Sequence, residues 1–167
     1  MTWQVEYSDR FPTIAIFVSG QLHCLADLLH RHQTWINENF LKYGFGLWAI
    51  EVIGVADFIG FTGLAVPQFD THFTPCVEIA WRLARDYWGF GFATEAACAA
   101  RDYGFSQLNL AQIVSFTVPA NQRSRSVMSR IGMTHSPDDD FEHPLLPDGH
   151  PLRHRHHFLY RLTRPVG

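Results

Sequence analysis

The chain has 167 residues, 47% of them hydrophobic and only 17% charged, with a formal net charge of −3. That length suits one compact domain over 1–167, and the lack of a basic excess speaks against nucleic-acid binding. No apolar run approaches the roughly eighteen residues of a membrane span, while the sparse charge leaves enough apolar surface to expect a homodimer contact.

In chain order, PTIAIFV (Pro12 to Val18) reads as a first strand. Leu22 to Phe40 reads as helix, with apolar residues at Leu22, Leu25, Leu28, Leu29, Trp35, Ile36 and Phe40. Gly44 and Gly46 break it. Phe45 to Val52 and Asp57 to Val66 form an antiparallel pair that turns through Gly54. A polar connection, Pro67 to Pro75, leads to CVEIAWRL (Cys76 to Leu83). There Val77, Ile79, Trp81 and Leu83 alternate with Glu78, Ala80 and Arg82, so one face is apolar and the other carries a carboxylate and a guanidinium. Phe92 to Phe105 is helical, with Ala93, Ala96, Ala97 and Ala100 as a narrow packing face. Leu110 to Val118 is a strand, and Asn121 caps a helix that Gly132 ends. A polar, Pro-rich stretch from Pro137 to Pro151 precedes a last strand near His157 to Leu162. The order predicts a mixed α/β sheet and not a doubly wound nucleotide fold.

Cys24, Cys76 and Cys98 are scattered and odd in number, which suits small buried hydrophobes in a reducing compartment. The start, MTWQVEYSDR, lacks the basic flank of an export signal, so a cytoplasmic location is expected. Five histidines lie between His143 and His157, preceded by Asp138, Asp139, Asp140 and Glu142. Imidazoles and carboxylates share transition metals, but no H-E-x-x-H order is present. No metal is expected, and the stretch reads as an ordered loop with an acidic patch that would draw a basic peptide or a polyamine.

Trp88-Gly89-Phe90-Gly91-Phe92-Ala93 joins an amphipathic strand to the Ala-rich helix. Glycines there let the backbone turn tightly and approach a ligand. The helix start that follows offers unpaired N–H groups and a positive dipole end, which suit a phosphate or pyrophosphate. The competing reading is a tight crossover turn packed by Trp88 and Phe90. The longer dinucleotide pattern is absent, because Thr94 stands at its third glycine, and Lys42, the sole lysine, has no Gly-rich partner for a P-loop.

The run VEIAWRLARDYWGFGFATEAACAARDYGF (Val77 to Phe105), followed by IVSFTVPANQRSRSVMSRIGM (Ile113 to Met133), resembles the GNAT superfamily of N-acetyltransferases. It looks most like the ribosomal-protein N-terminal acetyltransferase (RimJ/RimL-type) branch. The likeness begins near Trp35 and leaves residues 1 to 30 poorly matched. It implies a mostly antiparallel, splayed central sheet flanked by helices, with an altered or shortened first strand, and acetyl-coenzyme A bound in the gap. By this resemblance the segment matching Gly89 to Ala93 wraps the pyrophosphate with backbone amides. The strand matching Ile79, Ala80, Trp81, Arg82 and Leu83 pairs with the pantetheine arm. Residues matching Asn121 and Ser124 sit beside pantetheine and the thioester sulfur.

Asp86 stands where many members place Gln or Arg, and Met128 stands where many place a Tyr that protonates the leaving thiolate; Met has no proton to give. Arg123, Arg125 and Arg130 either reach coenzyme A's adenine-side phosphate or solvate the last helix, with Arg123 among the cofactor-binding candidates. Trp35 and Phe40, in the early helical region, are candidates for an acceptor-pocket wall.

Acetyl transfer to an amine needs removal of the amine proton and a stabilised thiolate. A carboxylate serves the first, and Glu78, on the polar face of the central strand, is the candidate; the alternative is an ion pair with Arg82 on the same face. Ser124 is the candidate for the thiolate, against a purely local role with Asn121. The expected activity is acetyl-CoA-dependent acetylation of a primary amine on a protein or peptide N-terminus, with a small-molecule amine or polyamine as rival. A coenzyme A-binding regulatory domain without transfer chemistry is the alternative from another class.

Overall fold

The computed structural model describes residues 4–5, 14–17, 38–144 and 156–165. The sequence folds into two compact units. The first contains residues 1–65 and 80–100, the second residues 66–79 and 101–167. Trp35, Cys24, His150, His154 and most of the helix expected over Leu22 to Phe40 lie outside the described residues.

In the first unit β1 (Gln4–Val5) pairs antiparallel with β2 (Ile14–Phe17), which pairs antiparallel with β3 (Leu47–Val52) from Ile14↔Val52 to Phe17↔Ala49. The Pro12 to Val18 segment therefore does supply a strand at the front of the sheet, and β1 adds one that alternation did not announce. A helix α1, described over residues 38–43, precedes β3. From it Phe40 lays its ring over Gly46 and meets Trp48 edge-on at 6.4 Å. β3 and β4 (Ala56–Ala65) form the expected hairpin, turning through Gly54 at φ 73° with a bulge between Ile50 and Val52.

Two glycines cut notches in β4. A Cβ on Gly63 would strike the Gly46 carbonyl and lie 2.7 Å from Leu47 Cα. One on Gly60 would strike the Arg82 carbonyl and lie 2.7 Å from Leu83 Cα. Both have positive φ, 156° and 151°, so β4 lies closer to each neighbour than any side-chain-bearing residue permits. Trp48, Ile50, Ile59 and Leu64 fill the core on this side, and Ala96, Ala97 and Ala100 of α2 (Phe92–Ser106) are buried as the small-residue face predicts.

The second unit is organised around β9 (His156–Thr163). It pairs antiparallel with β6 (Gln112–Thr117) over Gln112↔Thr163 to Thr117↔Phe158, and also with β7 (Thr134–His135) and β8 (Phe141–Glu142). Phe73, Val114, Phe141 and Leu159 form a core cluster, against which Phe69, Cys76 and Phe116 pack. Helix α3 (Gln122–Arg130) begins at Asn121, whose Oδ1 accepts from Ser124 N at 3.2 Å, and it buries Val127 and Met128. Gly132, at φ 89°, ends it.

Arginines staple this unit to backbone carbonyls. Arg101 donates to Ile131 O (3.0 Å), and Arg125 to Pro119 O (3.0 Å) and the Tyr160 hydroxyl (3.3 Å). Arg164 donates to Leu110 O, Phe105 O and Asn109 Oδ1. A guanidinium carries five N–H donors in a fixed fork, so one side chain satisfies several acceptors that an ammonium would reach one at a time.

The fold class is as expected: mixed α/β with an open, mostly antiparallel sheet. The parallel pairing is that of β5 (Glu78–Leu83) with β6, registered at the single position Glu78↔Val114. β5 begins in the second unit and ends in the first.

Candidate acetyl-transfer site

β5 carries different bonding on its two edges. Towards β4, Thr62 Oγ1 donates to Ala80 O (3.1 Å) and Ala84 N to Ile59 O (2.8 Å). Towards β6 the ladder amounts to Glu78↔Val114 and the bond from Val114 N to Val77 O (2.9 Å). Among the described residues, β5 beyond Glu78 has no registered partner on that edge. Ile79 and Leu83 are buried, Ala80 and Trp81 partly so, and Arg82 is exposed.

Glu78 is the most perturbed carboxyl described. Burial pushes its pKa up to about 8, because a charged carboxylate loses its hydration there. Among the described residues no hydrogen bond or ion pair reaches it, so the pairing with Arg82 does not form. Cys76, two residues before β5 opens, is pushed up to about 11, first by burial and then by Glu78, with Arg161 opposing.

After β5 the chain makes a short 3₁₀ turn, Arg85–Tyr87, and reaches the glycine segment. Gly89 and Gly91 both take left-handed φ, 89° and 92°, values that glycine adopts without the Cβ penalty. The amides of Thr94 and Glu95 bond to Gly91 O. Those of Phe92 and Ala93, at the start of α2, have no partner among the described residues, as the first turn of a helix dictates. Trp88 Nε1 donates to Leu83 O at 2.8 Å and ties the loop back to β5. Trp88 and Phe90 stay exposed.

In α3, Ser126 and Ser129 return their hydroxyls to Gln122 O and Arg125 O. Ser124 Oγ has no partner among the described residues, since no helical carbonyl stands four residues before it. Asn121 is more committed: Nδ2 donates to Thr117 Oγ1 (3.0 Å) while Oδ1 caps the helix. Arg123 is exposed, whereas Arg125 is a structural residue, its guanidinium 4.9 Å over the Phe158 ring. Met128 is fully buried.

The acidic run is spent internally. Asp139 takes a bidentate pair from Arg161 (2.8 and 2.9 Å), which holds its carboxyl below the usual range. Asp140, its side chain 3% exposed, accepts from His135 Nε2 and His156 Nε2, each at 2.8 Å, and from Leu159 N at 3.3 Å. Two carboxylates of the expected acidic patch, Asp139 and Asp140, are thus engaged within the fold. His143 and His157 lie with Phe69, Phe116 and Phe141 in a ring cluster, and burial with the neighbouring His157 lowers the His143 pKa. Among the described residues no group of three or more His, Cys, Asp and Glu is arranged to hold a metal ion. Tyr160, Arg161 and the Asp140 clamp went unread in the sequence, because their partners sit on other strands. Asp140→Ala is expected to lower stability by about 2 kcal/mol, seen as a lower urea midpoint at unchanged m-value.

The chain matches the acetyltransferase (GNAT) domain family over residues 22–134, beginning earlier than the motifs near Trp35 suggest. It is 34% identical to YkkB of Bacillus subtilis over 130 residues, which cover 75% of this chain and 70% of that protein. It is 36% identical over 98 residues to the FsC-acetyl coenzyme A-N(2)-transacetylase of Aspergillus fumigatus, 55% of this chain and 40% of that enzyme. The crystal structure of an Agrobacterium tumefaciens acetyltransferase superposes with a TM-score of 0.65 at 27% identity, covering 93% of both chains. Among the described residues no helix is long and apolar enough to cross a membrane.

Proposed function

Because the chain belongs to the GNAT family of acetyl-CoA-dependent N-acetyltransferases, we propose that it acetylates a small-molecule primary amine by direct attack on the thioester, with Glu78 as general base. The observation that carries this reading is the Glu78 carboxyl: half-buried, without a hydrogen bond or ion pair among the described residues, and pushed up to about 8 by desolvation. That value is suited to taking a proton from an ammonium near neutral pH.

The chemistry divides among named groups. In the first unit, the amides from Gly89 to Ala93 take the donor's pyrophosphate at the N-terminus of α2, and the unpaired edge of β5 from Ile79 to Leu83 takes the pantetheine amides as an added strand. In the second, the hydroxyl of Ser124 donates to the departing thiolate, a role Met128 cannot fill. Asn121 holds the turn that presents Ser124, and Arg123 adds charge for a phosphate. Phe40, with Trp35, belongs to the region that would wall the acceptor.

The engagement of Asp139 with Arg161 and of Asp140 with two histidines supports the choice of acceptor. A basic peptide or a polyamine carries several positive charges and is recognised by carboxylates left available to it. Here Asp139 is held by Arg161, and Asp140 by His135 and His156. We therefore expect a cytoplasmic enzyme of small amines, in place of the protein N-terminus that the ribosomal-protein branch suggests.

A release assay for free coenzyme A over an acceptor panel tests this. The expected result is acceptor-dependent release with small monoamines and little with basic peptides. Release with peptides alone would transfer the assignment to protein N-termini. Tight coenzyme A binding in calorimetry with no turnover on any amine would leave a binding module.

A further inference from the structure

The glycine segment contains more than its backbone uses. In Trp88-Gly89-Phe90-Gly91-Phe92 the residue Phe90 is 71% exposed, and among the described Phe, Trp and Tyr residues only it and Trp88 are exposed. Leaving such a ring in water forgoes a transfer gain, so it calls for a partner. The ring is also ordered by its neighbour: it stacks on Phe92 with centroids 5.9 Å apart and planes 29° from parallel. Gly89 and Gly91 on either side leave nothing within 4 Å of where a Cβ would stand, so the backbone flanking Phe90 is open. Arg82 and Arg85, just upstream, are exposed, and neither has an ion pair among the described residues.

We propose that Phe90 is a stacking platform for the adenine ring of coenzyme A, with Arg85 beside it for the ribose phosphate. The proposal rests on the reading above that the amides of Phe92 and Ala93 hold the pyrophosphate. Two residues of chain span at most about 7 Å, a distance of the order of one ribose. A planar, electron-rich purine meets an exposed aromatic face offset-stacked, as bases do on aromatic side chains elsewhere. A thioester tail or an aliphatic amine has no such surface to offer.

The test is calorimetry on the full chain with two probes, coenzyme A and 4′-phosphopantetheine, which lacks the adenosine. Phe90→Ala is expected to weaken coenzyme A about tenfold, to leave 4′-phosphopantetheine affinity unchanged, and to be rescued by Phe90→Trp. Equal coenzyme A affinity in wild type and Phe90→Ala overturns the platform while leaving the donor reading intact. Equal weakening of both probes shows a collapsed loop and overturns it too. If coenzyme A does not bind the wild type, the donor reading itself fails. A change of oligomeric state in Phe90→Ala, with donor affinity unchanged, reassigns the ring to an interface between copies of the chain.

Discussion

Replacing Glu78 by Gln is expected to lower turnover by about a hundred- to a thousandfold while making the protein more stable in alkaline solution. The two effects have one cause. In the wild type, burial raises the folded-state pKa from an ordinary 4.5 to about 8. Between those values the folded chain holds a proton that the unfolded chain has released. Stability is therefore fully present below pH 4.5 and declines as pH rises through about 8, by roughly a few kcal/mol in all. Gln keeps the shape and never ionises, so the decline disappears. For catalysis the sign is opposite. The base must be ionised, so kcat/KM of the wild type should rise through pH 8, and that limb should be missing in Glu78→Gln. Thermal unfolding at pH 6 and pH 9 and a pH–rate profile check both halves. A Glu78→Gln enzyme with wild-type turnover would remove the residue from the mechanism.

Gly63→Ala is expected to cost about 4 kcal/mol or more, enough to exhaust much of a domain's net stability. The methyl would run into the Gly46 carbonyl and the Leu47 backbone, neither of which can swing aside as a long side chain would. The positive φ adds strain of its own. Gly60→Ala meets the Arg82 carbonyl on the other edge of β4 and should behave alike. Gly54→Ala is the control. Its φ is also positive, at 73°, but nothing lies within 4 Å of the new methyl, so about 1 kcal/mol is expected. Urea midpoints of the three variants separate steric collision from backbone strain. A Gly63→Ala protein as stable as Gly54→Ala would show that β4 has room to move away.

These glycines show where reading the sequence stops. Alternation along Glu78 to Leu83, the glycine turn, the Asn121 cap and the Gly132 stop are local chemistry, and each was legible because the residues that decide it are neighbours in the chain. Gly60 and Gly63 carry no local signal, since what requires them is backbone approaching from Gly46 and Arg82. The Asp138 to Glu142 run looked like a surface field. His135 and His156, on separate strands, turn Asp140 into an interior joint, and no spacing rule links those three positions. Glu78 was legible as a carboxyl on a polar face, whereas its desolvation depends on what packs around it. Ser124 was legible as a candidate from the family resemblance, whereas the engagement of Ser126 and Ser129 with the backbone of their own helix is seen only in the fold.

The arginine staples bear on the chemistry of the donor. Acetyl-CoA is a diffusing acylating reagent, and any neutral amine near it is a competing acceptor. Guanidinium stays protonated throughout the working range and offers no free electron pair to a thioester. Lys42 is the sole lysine of the chain. The joints at Arg101, Arg125 and Arg164 are thus made from a cation that the enzyme's own reagent leaves untouched, and acetylation of a side-chain amine has one address, Lys42.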